Sequence, residues 1–381
     1  MTDLWHYLKT AADGGRPILL YGMGNGADKI ITVCDAYGIS VADFFASDGF
    51  VRGHSFHGKV VLSFTQACEK YGPENMIVLL SFASSRPDVL ETISRVASVC
   101  EMYIPDVPVC GTDLFNAEFY ESHLEEINTA CALFADEQSR RVYDGIIEYK
   151  LSGRMDILRA TESEPAEAYR NILRAESFVT AADLGAYNGD SIRDLRQYAP
   201  RLQSVIAMEP DRRNFRKLSE YATALREAGD PLTVHPVQAG AWSHTATLTF
   251  HGSGNRNAGL TDAPDAAQGH ILPSTADNPY FGKTAEVPVT ALDTAAAEVF
   301  GNTRVDYIKY DVEGAETEAL LGSRGIIQRD APALLVSAYH RNTDLFRLPL
   351  LVHELNPAYK LYLRRMAGVP AWDINLYAVS D

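Results

Sequence analysis

The stretch Phe178–Ser191, FVTAADLGAYNGDS, places one carboxylate and two glycines in the spacing Asp183-x-Gly185-x-x-x-Gly189. A short apolar run leads into Asp183, and a helical pattern follows from Ser191 to Tyr198. The segment reads as a buried strand, a glycine turn and a helix start. Glycine lets a backbone approach a ligand closely and adopt positive φ. The first turn of a helix adds free amide donors. Such a turn suits a nucleotide-type cofactor with a carboxylate tail; a tight turn that binds nothing is the alternative. A second acid supports the first reading. Ser204–Met208 is a further apolar run, ending in Glu209-Pro210-Asp211. A carboxylate at the tip of a second strand can accept both hydroxyls of a ribose in one bidentate contact. Nearer the N-terminus, Gly22-Met-Gly24-Asn-Gly26-Ala27 follows the apolar run Pro17–Tyr21 and fits G-x-G-x-x-G/A, and Asp48 lies just past the next strand, Ile39–Phe45.

Two such turns need two scaffolds, and 381 residues exceed what one hydrophobic core usually serves. Hydrophobic residues at 46% and charged residues at 22% suit an ordinary globular protein. A net charge of −16 argues against nucleic acid or an anionic membrane surface as partner. The five cysteines, Cys34, Cys68, Cys100, Cys110 and Cys131, contain no CxxC pair. They read as neither a disulfide framework nor a zinc site, and as free thiols of a cytoplasmic protein. The start, MTDLWHYLKTAADGGR, lacks the basic and apolar regions of a signal peptide, and no apolar run is long enough to span a membrane. A homo-oligomer is compatible with all of this.

The elements divide the chain into three parts. Residues 1–110 read as a small Rossmann-like α/β domain, with further strands at Lys59–Leu62, Met76–Leu80 and Met102–Ile104 and helices at 65–71 and 87–98. Its segment Phe56–Cys68 resembles the Rossmann-like N-terminal domain of sugar-modifying acetyltransferases. Residues 111–177 read as a helical connector: Phe115, Phe119, His123, Ile127 and Cys131 recur at three- and four-residue steps, and Asp136 opens a second helix. Residues 178–381 form another α/β unit, with later strands at Leu232–Val237, Val305–Tyr310, Ala333–Ser337, Lys360–Arg364 and Asn375–Val379. Ala246–Phe250 and Ala285–Val289 read as a hairpin pair flanking the loop His251–Lys283, whose length and Gly/Asn content suit a lid. Arg256 and Asn257 are candidate substrate contacts within it. Trp242 is a candidate wall for an adenine, with a buried core tryptophan as the alternative.

The C-terminal motifs carry a resemblance. DLGAYNGDS, AMEPD, DYIKYDVEGAE, SAYH with Asp344-Leu345, and YLRR with LYA at 376–378 together resemble the FkbM family of S-adenosylmethionine-dependent methyltransferases over about 178–381. The resemblance implies a class I methyltransferase fold: a seven-stranded mixed sheet in the order 3-2-1-4-5-7-6, with strand 7 antiparallel. It implies S-adenosyl-L-methionine as cofactor, S-adenosylhomocysteine as product, and a small-molecule acceptor such as a sugar or another hydroxyl compound. Members often carry a histidine after YLR; here the residue is Arg365.

The resemblance assigns the cofactor to Asp183, Gly185, Ala186, Asn188, Gly189, Glu209, Asp211, Trp242 and Asp311. Transfer to an alcohol also requires removal of a proton. Asp311 and His340 end the fourth and fifth strands, which the expected order makes neighbours about 4.8 Å apart. His340 titrates in the useful range and is the expected general base. Asp311 would orient it, or the two would share a divalent ion that acidifies the acceptor. Glu313 is a candidate substrate contact, or with Glu316 a partner for the amides of the next helix. The competing reading is an NAD(P)-dependent oxidoreductase or nucleotide-sugar-binding protein that uses the Gly22–Ala27 turn.

Overall fold

A computed structural model describes residues 2–51, 53–251, 259–260 and 284–380. Two sheets dominate it, one parallel and one mixed. The N-terminal sheet has five strands in the order Leu62–Ser63, Val41–Ala46, Ile18–Tyr21, Ile77–Leu80, Glu101–Tyr103, all parallel. Helices Asn25–Ala36, Phe64–Tyr71 and Pro87–Val99 connect them. The expected strand Lys59–Leu62 is split. Lys59–Val60 pairs antiparallel with Ser55–Phe56, and only Leu62–Ser63 joins the sheet. The physical reason lies at Val60 and Val61: Val60 is 68% exposed, while Val61 is buried.

The C-terminal sheet has seven strands: β1 Thr180–Leu184, β2 Ser204–Met208, β3 Thr233–Val237, β4 Tyr307–Tyr310, β5 Ala333–Ser337, β6 Lys360–Arg365 and β7 Ile374–Val379. Their order is β3-β2-β1-β4-β5-β7-β6, with β7 antiparallel to both neighbours. This is the order expected of a class I methyltransferase. Strands β1, β4 and β5 are nearly continuous apolar runs because elements cover both faces of the sheet. Between β3 and β4, Ala246–His251 and Thr284–Thr290 pair antiparallel, as expected of the hairpin pair Ala246–Phe250 and Ala285–Val289. Arg256, Asn257 and most of the expected lid loop lie outside the described residues.

Helices Ala117–Ser122, Leu124–Ala132 and Glu137–Ser152 lie between the two sheets. Their apolar faces, through Phe115, Ile127, Phe134, Tyr143 and Ile146, join a continuous buried cluster with Leu19 and Val78 of one sheet and Leu363 and Ile374 of the other. The Asp136 side chain accepts from Ser139 N and starts the longest of these helices. A buried polar contact ties the three stretches together. Lys150 Nζ lies 2.9 Å from Asp106 Oδ2 and 2.8 Å from Asn342 Oδ1. Among the described residues, no helix is long and apolar enough to cross a membrane.

Candidate functional site

The carboxyl ends of β1, β2, β4 and β5 open into a cleft of about 510 Å³, within the range of about 300–1,000 Å³ that small-molecule sites occupy. Its floor begins at the turn after β1. Gly185 has φ +81°, and a Cβ there would lie 1.9 Å from the carbonyl oxygen of Asp311. Any other residue would push the β1 and β4 ends apart, which accounts for the first glycine of the motif. Gly189, at φ +82°, has the ring of Tyr221 where a Cβ would stand. Asp183 is buried; one carboxylate oxygen takes the Ser191 hydroxyl, and Lys309 Nζ lies 3.6 Å from the other. Burial pushes the Asp183 carboxyl above its ordinary range.

Glu209 sits at the tip of β2, with Oε2 accepting from Tyr187 N at 2.9 Å and Oε1 from Asp211 N at 2.8 Å. Burial raises its carboxyl to about 7, against the lowering effect of those two amides. Each oxygen keeps a lone pair for a further donor. Asp211 borders the cleft, but its carboxylate caps the helix Arg212–Glu227 by accepting from Arg213 N and Asn214 N.

Of the nine expected cofactor residues, Gly185, Glu209, Asp211 and Asp311 line the cleft, while Asp183, Gly189, Ala186, Asn188 and Trp242 do not. Ala186 is fully buried in the core beneath the turn. The Asn188 side chain accepts from Arg193 Nη2 at 2.8 Å. Trp242 packs against Val289 and Ala315. Gly240 and Ala241, just before it, border the cleft through small side chains and backbone. The strand Gly240–Ala241 pairs with Val289–Thr290, which turns the following indole into the core.

The far end of the cleft is built by β4 and β5. Lys309, Asp311 and Glu313 line it from β4, and Tyr339 and His340 from β5. His340 is 1% exposed. Its Nδ1 lies 2.8 Å from Glu316 Oε1, and its Nε2 faces Glu313 Oε2 at 3.5 Å and Asp311 Oδ1 at 3.6 Å. Among the described residues Nε2 has no hydrogen-bond partner. The group that orients the imidazole is therefore Glu316, not Asp311. Glu316 also accepts from Val312 N at 3.0 Å, so it steadies the turn that carries Glu313.

Charge explains the protonation states. Burial alone would lower the His340 pKa, but Glu316, Glu313 and Asp311 raise it to about 10. Burial would raise Asp311, yet the charges of Lys309 and His340 hold its carboxyl below the ordinary range. Burial raises Glu313 to about 7. The geometry lends the shared-ion reading no support: among the described residues, no group of three or more His, Cys, Asp or Glu side chains is arranged to hold a metal.

Lys309 escaped the sequence reading. It is partly buried between Asp183 and Asp311, 3.3 Å from Asp311 Oδ2. Its signal was a lysine in the middle of the apolar run Tyr307–Tyr310, a position that is expensive unless the charge is paired. Arg365, where a histidine was expected, is fully buried. Its guanidinium donates to the carbonyls of Met366, Gly368 and Leu158 and to Thr161 Oγ1. It fastens the loop between β6 and β7 to the connector.

At the N-terminal turn, the space over Gly22 is taken by Phe82, whose Cδ1 would lie 2.6 Å from a Cβ. Both carboxylate oxygens of Asp48 accept from Thr65, through its backbone N and its Oγ1.

Residues 183–365 match the methyltransferase FkbM domain. Among solved structures, the methyltransferase FkbM from Methylobacillus flagellatus KT superposes with a TM-score of 0.71 at 17% identity, covering 99% of this chain and 94% of that one. At that identity the likeness shows a shared fold. An rRNA methylase from Streptococcus thermophilus matches with a TM-score of 0.34 and 11% identity, over 57% of this chain and 97% of that one. Aeropyrum pernix fibrillarin in complex with S-adenosyl-L-methionine matches at 0.31 and 12%, over 56% and 76%. No curated protein sequence matches the chain. The motif residues, the strand order and the matched domain agree: residues 183–365 match the methyltransferase FkbM domain, on the strand order of a class I methyltransferase.

Proposed function

We propose that the protein methylates a hydroxyl oxygen of a small polar acceptor, with His340 as general base. The observation that carries this reading is the Glu316–His340 pair: a buried carboxylate holds Nδ1, and Nε2 is left bare at the cleft. Among the described residues, this is the arrangement suited to taking a proton from an alcohol.

The residues present fit the cofactor. The open turn Gly185–Tyr187 and the Glu209 carboxylate offer a backbone cradle and an acceptor for ribose hydroxyls, and the small residues Gly240 and Ala241 leave room beside them. Asp311, whose carboxyl is held below its ordinary range, places negative charge at the β4 end of the cleft, suited to a cationic ligand. S-adenosylmethionine supplies a methyl group on a positively charged sulfur, ready for in-line displacement. The chain then has two tasks. Glu209 and the β1 turn hold one end of the cleft in register with the other. His340 accepts the acceptor's proton at Nε2, and Glu316 stabilises the imidazolium so formed.

At neutral pH the imidazole rests in its charged form. It must lose that proton before it can act. Positive charge brought into the cleft favours the loss, and Glu313 at 3.5 Å is placed to receive it.

A base contributes typically about 10²–10⁴-fold to rate, so His340→Ala should lower turnover by that order. Its affinity for S-adenosylhomocysteine, measured by calorimetry, should stay close to that of the wild type. Full turnover in a folded His340→Ala protein would return this histidine to a packing role.

A further inference from the structure

We propose that Lys29, on the helix that follows the Gly22–Ala27 turn, is a positioning residue for methyl transfer: through the segment Pro108–Cys110 it holds the backbones that carry Glu313 and His340. The inference rests on the general-base reading of His340 and adds to it a residue of the N-terminal part. Glu209 and the β1 turn occupy one end of the cleft, so the end bounded by β4, β5 and the β6–β7 loop is left for the acceptor. The N-terminal part reaches the cleft through Ser84, Ser85 and Val109.

The turn after β4 needs support. Glu313 has φ +53° and Gly314 φ +93°. The left-handed region is uncommon for a residue with a side chain, and it persists where the surroundings over-determine it. Three contacts do so here. Glu316 Oε1 accepts from Val312 N at 3.0 Å, and Arg341 Nε donates to Gly314 O at 3.0 Å. The third comes from the N-terminal part: the Cys110 thiol donates to Glu313 O at 3.3 Å. Burial pushes that thiol up to about 12, so it keeps its proton and remains a donor. Cys110 N also donates to His340 O at 2.8 Å. One residue thus clamps the turn that carries Glu313 to the strand end that carries His340. The approach is close, since a Cβ on Gly314 would lie 3.2 Å from Cys110 Cβ.

Cys110 itself lies in a stretch without helix or strand, between Glu101–Tyr103 and Ala117–Ser122. Backbone carbonyls of such a stretch must find donors elsewhere. Lys29 Nζ supplies them to the two residues before Cys110, at 2.8 Å from Pro108 O and 3.0 Å from Val109 O. Lys29 is half-buried, and burial lowers its pKa, so these acceptors are what hold the ammonium there. Without them the segment is free to draw back, the turn can relax, and Glu313 leaves Nε2, which it now faces at 3.5 Å. The imidazole reports that movement. The charged and titratable groups around it are Lys309, Asp311, Glu313 and Glu316 from β4 and its turn, Tyr339 and Arg341 beside it, Asp344 from the following helix, and Cys110. Cys110 grips Glu313 by its carbonyl, so loosening the clamp removes one negative charge from the imidazole.

The test uses the full chain with isotope-labelled histidine, saturated with S-adenosylhomocysteine. The His340 ring is identified by its loss in His340→Ala and titrated by NMR. Lys29→Met should lower its midpoint by about one pH unit, the size expected when a nearby opposite charge departs. Affinity for S-adenosylhomocysteine, measured by calorimetry, should be retained. Cys110→Ala should move the midpoint in the same direction, while Cys110→Ser, which keeps a donor for Glu313 O, should stay close to the wild type. An unmoved midpoint in a folded Lys29→Met protein would overturn the proposal. So would equal midpoints in Cys110→Ala and Cys110→Ser, which decides the matter if Lys29→Met does not fold. Loss of S-adenosylhomocysteine affinity in Lys29→Met would also overturn it, since the effect would not be confined to the acceptor end. A shifted midpoint beside full turnover in His340→Ala would uphold the link from Lys29 to the imidazole and remove the general-base reading.

Discussion

His340 shares its pocket with three carboxylates, and the sign of that environment governs how the site answers to pH. The folded chain holds the imidazole proton more tightly than an unfolded chain would, since the pKa moves from 6.5 to about 10. This contribution to stability is complete below 6.5 and is lost as pH rises through about 10. Catalysis needs the other form. Turnover should therefore climb from neutral pH toward 10, and a flat or falling profile would count against His340 as proton acceptor. Glu209 behaves differently. Burial raises its carboxyl to about 7, so the ionised form that accepts two hydroxyls is lost as pH falls through that value. Affinity for S-adenosylhomocysteine should weaken over the same range. Glu209→Ala should lower that affinity at alkaline pH by about 1.5–3 kcal/mol for each charged hydrogen bond removed, and unchanged calorimetric affinity would contradict the assignment.

The elements hold these side chains through their ends. β1 and β4 approach so closely at Gly185 that their backbones nearly touch, and the turn after β4 is steadied by Glu316. The β6–β7 loop depends on Arg365, whose guanidinium serves several carbonyls at once. A lysine carries the same charge but lacks the planar fork. Arg365→Lys should cost about 1.5–3 kcal/mol for each charged hydrogen bond it cannot replace. Its effect on transfer should fall mainly on acceptor KM, with S-adenosylhomocysteine affinity conserved, because the loop borders the acceptor end. Kinetics that change through cofactor affinity alone would show that the loop does not shape that end.

The two sheets and the connector share one buried apolar cluster, and a polar contact crosses it. Lys150 of the connector, Asp106 of the N-terminal part and Asn342 just past His340 meet with side chains almost excluded from solvent. Removing one partner strands a buried charge. Lys150→Met should lower unfolding stability by about 3–5 kcal/mol in urea denaturation. The exposed pair Arg347–Glu126 gives the contrast, since removing a surface ion pair costs about 0–1 kcal/mol. Equal effects of the two substitutions would deny the Lys150 contact its role in joining the parts.

Local pattern made much of this molecule legible. The apolar run before Asp183, the glycines after it and the acid at Glu209 encode a strand, a turn and a strand tip within a few residues of one another. Three- and four-residue spacing marked the connector helices, and the C-terminal motifs implied the strand order that the sheet adopts. The Lys59–Leu62 run misled because a short apolar run does not say which of its residues find a core to bury in. Trp242 misled because a large aromatic suits a cofactor wall and a core equally until its neighbours are known. The pairing of His340 with Glu316, the choice of Asp183 and Asp311 as partners of Lys309, and the arrival of Ser84 at the cleft had no local signature. Each depends on which segments the sheet order brings side by side. Periodicity and turn chemistry act over a few residues, so the sequence carries them openly. The partner of a buried charge is chosen across the fold, where burial makes an unpaired ion too costly to keep.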